Sequence, residues 1–203
     1  MSGRLNILLV PSDPGRARIL EQRLGAIGGV TIVEIVELAA RGSLYDIVVA
    51  TAPDVMVVDI VPPARDRLDE LRRIGAEHPL PIALLVDRDD PSLMAEAIAA
   101  GVCSYTVVTA VTATFPEVTS IVMAAIAMFH RQRQMASDLR QAADALAERE
   151  VIARAKALLM REHNIDEPRA YRWLRRRAMN QSRRIAAVAA DLLAGTTRDT
   201  RKP

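Results

Sequence analysis

Three observations predict an α/β, flavodoxin-like domain followed by a long coiled-coil helix and a small all-α three-helix domain. Short aliphatic runs alternate five times with amphipathic segments, a long interval carries neither Gly nor Pro, and the C-terminal part is basic and helical in pattern. The runs are Leu5–Val10, Val30–Val36, Asp54–Ile60, Ile82–Val86 and Val102–Val108. Continuous apolar runs of this length, bounded by Pro, Gly or Asp, suit strands buried on both faces of a parallel sheet. Helices are expected between them at about 14–27, 38–50, 65–78 and 90–100. Asp13-Pro14 reads as an N-cap with Pro at the first helical position, and Gly28-Gly29 and Gly101 stop two helices. A fold of this kind carries its site at the carboxyl ends of the strands.

Pro116 is placed to begin the next helix, and no further Gly or Pro occurs before Pro168. Met128, Met135, Leu139, Ala142 and Leu146 follow one another at three- and four-residue steps, broken once at Gln132, which predicts a short coiled coil and a homodimer. Beyond it, three amphipathic helices can be marked out. Ile152, Ala155, Leu158 and Leu159 form the first stripe; Ala170, Trp173, Leu174 and Ala178 the second, capped by Asp166; Ile185, Val188, Ala189, Leu192 and Leu193 the third, ending at Gly195. The expected divisions are 1–115, 116–148, 149–195 and a flexible tail at 196–203.

Composition narrows the function classes. Of 203 residues 50% are apolar, enough for a real core, and the net charge is +2. That value hides a division: residues 1–120 hold 10 Arg against 16 Asp and Glu, and the rest hold 17 Lys and Arg against 9, so an acidic front precedes a basic back. A polyanion is a candidate partner for the second part. Aromatics are only 3% of the chain, which argues against binding by exposed stacking rings. Cys103 is the only cysteine, so no disulfide within the chain is possible. The longest apolar candidate for a membrane span, Val118–Phe129, is too short and contains Thr119 and Ser120, and the N-terminus has no signal-peptide pattern. A cytoplasmic protein is expected. Three His and scattered carboxylates offer no nucleophile–base or phosphate-loop spacing, so neither an enzyme nor a cofactor or metal is expected.

The segment "PDVMVVDIVPP" and the later "HPLPIALLVDRDDPSLMAEAIAAGVCSYTVV" resemble the third to fifth strands of a response-regulator receiver domain, over about residues 4–130. The resemblance places Asp59 at the phospho-acceptor position and Tyr105 at the aromatic switch position. The chemistry of that family needs an acidic pair for a divalent cation, and a hydroxyl and a lysine for the phosphoryl oxygens. Pro11 and Ser12 stand at the acidic pair, Val86 at the hydroxyl and Val108 at the lysine. A pseudo-receiver, switched by a bound protein, is therefore expected, with an Asp59-phosphorylated regulator as the alternative. Asp87, Asp89 and Asp90 lack the spacing of a calcium loop and read as a helix-capping cluster.

The stretch 152–193 resembles the ANTAR RNA-binding domain through Ala155, Lys156, Leu158, Leu159 and Met160, the acidic turn Asp166-Glu167, and the pairs Ala170-Tyr171, Leu174-Arg175 and Ala178-Met179. Ala157 departs from the Gly of many members, a change that favours the helix by up to about 1 kcal/mol. The resemblance implies transcription antitermination by dimers that bind paired RNA hairpins in leader transcripts. Lys156, Arg175, Arg176, Arg183 and Arg184 are the candidate RNA-facing cations, with Tyr171 and Asn180 as loop readers and Trp173 in the core. A DNA-binding helix-turn-helix stays open, because Gln181, Ser182, Arg183 and Arg184 could line the first turns of a recognition helix. The order of receiver-like domain, coiled coil and ANTAR domain is similar to the nitrate-responsive antiterminators. In that group a periplasmic-binding-protein-like nitrate sensor holds the antiterminator inactive until ligand releases it.

Overall fold

A computed structural model describes residues 4–25, 29–36, 43–60, 65–108 and 115–199. The chain divides into two compact units, Met1–Arg133 and Gln134–Pro203. The first contains strands β1 (Leu5–Val10), β2 (Val30–Ile35), β3 (Val55–Ile60), β4 (Ile82–Val86) and β5 (Ser104–Val107). They alternate with α1 (Pro14–Gly25), α2 (Leu44–Thr51), α3 (Arg65–Glu77) and α4 (Pro91–Ala99). The sheet is wholly parallel in the order β2-β1-β3-β4-β5. Every residue of β3 and β4 is buried. That is the outcome expected of aliphatic runs covered by helices on both sides.

Successive strand residues face opposite sides, and the two cores follow this alternation. Leu8, Val10, Met56, Val58, Leu84 and Val86 pack beneath α2, α3 and α4. Ile7, Leu9, Val55, Val57 and Leu85 pack against Leu20 and Leu24 of α1 and against Val118, Val122 and Ala125 further along the chain. β5 covers only part of the predicted 102–108, because Val102 and Val108 are buried outside the ladder while the strand pairs on one side alone. Asp90 caps α4, its carboxylate accepting from the Ser92 and Leu93 amides. α2 begins at Leu44; the earlier part of the predicted helix, together with Gly28 and Pro62-Pro63, lies outside the described residues.

The predicted division between a linker helix ending at 148 and a separate helix beginning at 149 is replaced by one element. α5 runs unbroken from Phe115 to His163, 49 residues. Pro116 stands in the first turn, where its missing amide would have no partner in the helix, and nothing from Glu117 to His163 removes a backbone donor, so the i to i−4 ladder continues. Asn164, at φ 50°, ends it in the left-handed conformation that Asn tolerates. In the second unit α6 (Glu167–Asn180) and α7 (Ile185–Asp199) follow. Ala155 and Leu159 of α5, Ala170, Leu174 and Ala178 of α6, and Val188 and Ala189 of α7 form its core. Four of those seven are alanines, which lets the helix backbones approach closely. α7 continues past Gly195 to Asp199, where the sequence predicts a tail; residues 200–203 lie outside the described residues.

Candidate functional sites

Asp59 is the only buried charged side chain among the described residues, 1% exposed at the carboxyl end of β3. Parallel pairing brings the end of β1 and the start of α1 beside it. Ser12 donates through its hydroxyl at 2.6 Å and its amide at 3.2 Å to Oδ2. Arg16, in the first turn of α1, donates Nε to Oδ2 and Nη2 to Oδ1, both at 2.6 Å. This fork-on-fork geometry is the strong form of a charge-assisted hydrogen bond. Arg16 is itself held in place. The Asp13 carboxylate accepts the Gly15 and Arg16 amides at 2.7 and 3.0 Å, fixing the start of α1, and the Val108 carbonyl lies 3.5 Å from Nη2.

The hydrogen bond from Asp59 raises the Arg16 pKa above its already high value against the opposing effect of burial, with Asp13 and Asp87 adding through space. A guanidinium thus stands among three carboxylates. The receiver fold implies a divalent cation beside this aspartate, but Arg16 takes both Asp59 oxygens and Pro11 and Ser12 bring no carboxylate, so the residues do not fit one. Among the described residues no group of three or more His, Cys, Asp and Glu is arranged to hold a metal ion. Tyr105 is partly buried, its hydroxyl donating to the Asp90 carbonyl at 3.4 Å. Burial pushes the Cys103 thiol above its ordinary pKa, which disfavours the reactive thiolate.

In the second unit, α6 places five arginines and one glutamate in fourteen residues. Its side chains point in directions set by about 100° per residue. Ala170, Leu174 and Ala178 face inward, and the arginines occupy the remaining arc. Arg175, Arg176 and Asn180 are exposed, and neither arginine has an ion-pair partner among the described residues. Lys156 instead bridges to Glu167 at 2.5 Å, Arg183 to Asp191 at 2.6 Å, and Arg184 reaches Glu148 at 3.5 Å. Such surface pairs are weak enough to exchange for a phosphate.

One aromatic residue stands differently from the sequence expectation. Trp173, predicted in the core, is 36% exposed; Tyr171, the candidate loop reader, is 42% exposed. The inward stripe of α6 is built from two alanines and one leucine, and an indole is too wide for it. Its ring lies at the edge with the Arg177 guanidinium 5.2 Å from its centroid. The chain therefore does expose rings, despite its poverty in aromatics.

Gln181, Ser182, Arg183 and Arg184 do not line a helix. They form the α6–α7 turn, with Ser182 at φ 49° and the Arg183 amide bonded to the Ala178 carbonyl. The first turn of α7 is Ile185, Ala186, Ala187 and Val188, which offers no base-reading group to a DNA groove. Along α5, Met128, Met135, Leu139 and Leu146 are exposed, Leu139 at 72%, and Ala142 lies exposed among them.

The second unit carries an ANTAR domain, matched over residues 140–193, and it follows an α/β unit with the parallel sheet order described above. The chain is similar to the transcriptional regulatory protein PdtaR of Mycobacterium tuberculosis, 28% identical over 151 residues, covering 73% of this chain and 72% of the relative. Among solved structures the first unit resembles the signal receiver domain of the response regulator NarL from Mycobacterium tuberculosis, with TM-score 0.51 and 19% identity over 63% of this chain and 98% of that one. It also resembles the signal receiver domain of a modulated diguanylate cyclase from Desulfovibrio desulfuricans, with TM-score 0.52 and 17% identity over 63% and 97%. At these identities the likeness shows the fold. No helix among the described residues is long and apolar enough to cross a membrane.

Proposed function

We propose that this protein is a cytoplasmic transcription antitermination regulator that binds paired RNA hairpins in leader transcripts as a homodimer. The observation that carries the reading is the basic three-helix unit within the ANTAR match, whose arginines crowd α6 while the first turn of α7 is apolar. Basic side chains hold the phosphates flanking a hairpin loop, and splayed loop bases are read by hydrogen bonding. The exposed seam Met128, Met135, Leu139, Ala142 and Leu146 joins two copies.

The first unit acts as a pseudo-receiver. Arg16 neutralises Asp59 permanently, so the switch is a ligand-sensing protein of periplasmic-binding type that holds the regulator inactive and lets go when it binds its ligand. Nitrate or nitrite as that ligand rests on the resemblance of the domain order to the nitrate-responsive group. A sensor whose affinity falls about 100-fold on binding ligand, roughly 2.7 kcal/mol, changes occupancy enough to switch the output.

The test is binding of the purified chain to a two-hairpin leader RNA across a salt series, with and without a small phosphodonor and Mg²⁺. Tight, hairpin-dependent binding indifferent to phosphodonor is expected. Binding that appears only after phosphodonor, and is abolished by Asp59→Asn, would restore the phosphorylated alternative. Preference for duplex DNA would overturn the RNA reading.

A further inference from the structure

We infer that Trp173 and Arg177 form a nucleobase-stacking site on α6, distinct from the Tyr171 side of the same helix. The inference rests on the RNA reading above. Trp173 is the only tryptophan in the chain, and it stands partly in solvent although three smaller residues of the same helix are buried. A partly exposed indole with a guanidinium against it presents a flat apolar surface and a fixed cation together.

The surroundings decide what that contact is. Trp173, Arg177, Arg169, Arg176 and Asn180 share one flank of α6, whereas Tyr171, Arg175 and Met179 share the other. At about 100° per residue Trp173 and Tyr171 are separated by roughly 160° around the axis. Cations outnumber acids on the Trp173 flank: its one nearby carboxylate, the N-cap Asp166, is taken up by the Arg169 amide and lies 4.0 Å from the Arg169 guanidinium, and Glu167 is engaged by Lys156. An apolar protein partner would gain little from so many arginines around the ring, while a polyanion carrying a flat aromatic group matches both features. The Arg177 guanidinium already lies over the indole, and a base that stacks on the exposed part of this pair meets both a ring and a cation. An unpaired loop base has that face available; a paired base in an A-form stem does not.

The site also divides labour on the helix. Arg175 and Arg176 project to different sides, so one flank can follow the phosphates as the other stacks a base. Trp173 then contributes affinity that does not depend on salt, whereas the arginines contribute affinity that does.

The experiment uses the full-length chain and a pool of RNAs with two stem–loops of randomised loop sequence, enriched on the wild-type protein. Because Trp173 is the sole indole, its emission reports the site directly. Binding of an enriched RNA should quench it, and the same stems closed without unpaired bases should not. Trp173→Ala should weaken binding about tenfold or more with an unchanged salt slope, and Trp173→Phe should keep most of the affinity. Arg176→Gln should instead lower the salt slope. Circular dichroism of Trp173→Ala checks its fold; should that variant unfold, Trp173→Phe together with the quenching of wild-type emission carries the test. Unquenched emission with undiminished binding by both variants overturns the stacking site, leaves the RNA reading standing, and assigns the ring to a protein contact. A pool that never enriches overturns the RNA reading and this site with it.

Discussion

Replacing Arg16 by Ala tests whether Asp59 is a structural ion-pair partner. The substitution removes two hydrogen bonds at 2.6 Å and leaves a carboxylate with no exposed side-chain surface facing the Ser12 donors alone. Stranding one member of a buried pair costs about 3–5 kcal/mol. The Arg16 side chain is 20% exposed, so water reaches the vacated space, and we expect about 2–4 kcal/mol. Asp59→Asn should cost less, because Arg16 can turn its guanidinium toward solvent and the amide still meets Ser12. The double variant should be less destabilised than the sum, since neither charge is left stranded. Urea unfolding followed by far-ultraviolet circular dichroism measures this. At a slope of about 2 kcal/mol per molar the Arg16→Ala midpoint falls by roughly 1–2 M. Trp173 emission, which arises in the second unit, distinguishes the two units during the same titration. A loss below about 1 kcal/mol for Arg16→Ala, or a larger loss for Asp59→Asn than for Arg16→Ala, would refute the reasoning.

Three further outcomes follow from local geometry. The Asp13 carboxyl is held below its ordinary pKa by the Arg16 amide first and the Gly15 amide after it. Its contribution is thus fully present above about pH 4 and fades as pH falls through the lower folded-state value, so Asp13→Ala should cost about 1 kcal/mol at pH 7 and progressively less near pH 3.5 in urea titrations. Gly101, at φ +95°, should lose about 1–2 kcal/mol on change to Ala, whereas Gly25, with open space at its missing Cβ, should not be destabilised; thermal unfolding of both variants compares them. Leu139→Lys with Leu146→Lys should convert the proposed dimer to monomer in sedimentation while leaving the helical content of the second unit intact, because both side chains are outside its core.

Features that depend on neighbours in sequence were readable in advance. Asp13, Asp90 and Asp166 cap helices because a short acceptor lies within three residues of the amides it meets. The strands followed from apolar runs too long to be half exposed. The Arg16–Asp59 pair was not readable, since its members are 43 residues apart and meet only through the β1–β3 register. Trp173 fitted the helical spacing of its neighbours, and spacing carries no information about ring width against an alanine stripe. The division the sequence suggests at 148/149 is not a break in the backbone, because every residue there can continue the helix.

That continuity gives α5 a rotational role. Leu146 of the seam and Ala155 of the three-helix core are nine residues apart, two and a half turns, and so face opposite sides of one rod. In the proposed dimer the two RNA-binding units are consequently turned away from the seam, at an azimuth counted out in residues with no joint to adjust it. One residue inserted between Leu146 and Val151 would lengthen the helix by about 1.5 Å yet swing each unit by about 100°, whereas seven would add about 10 Å and change the azimuth by only about 20°. Capture of two hairpins at once should tolerate the longer insertion better than the shorter one.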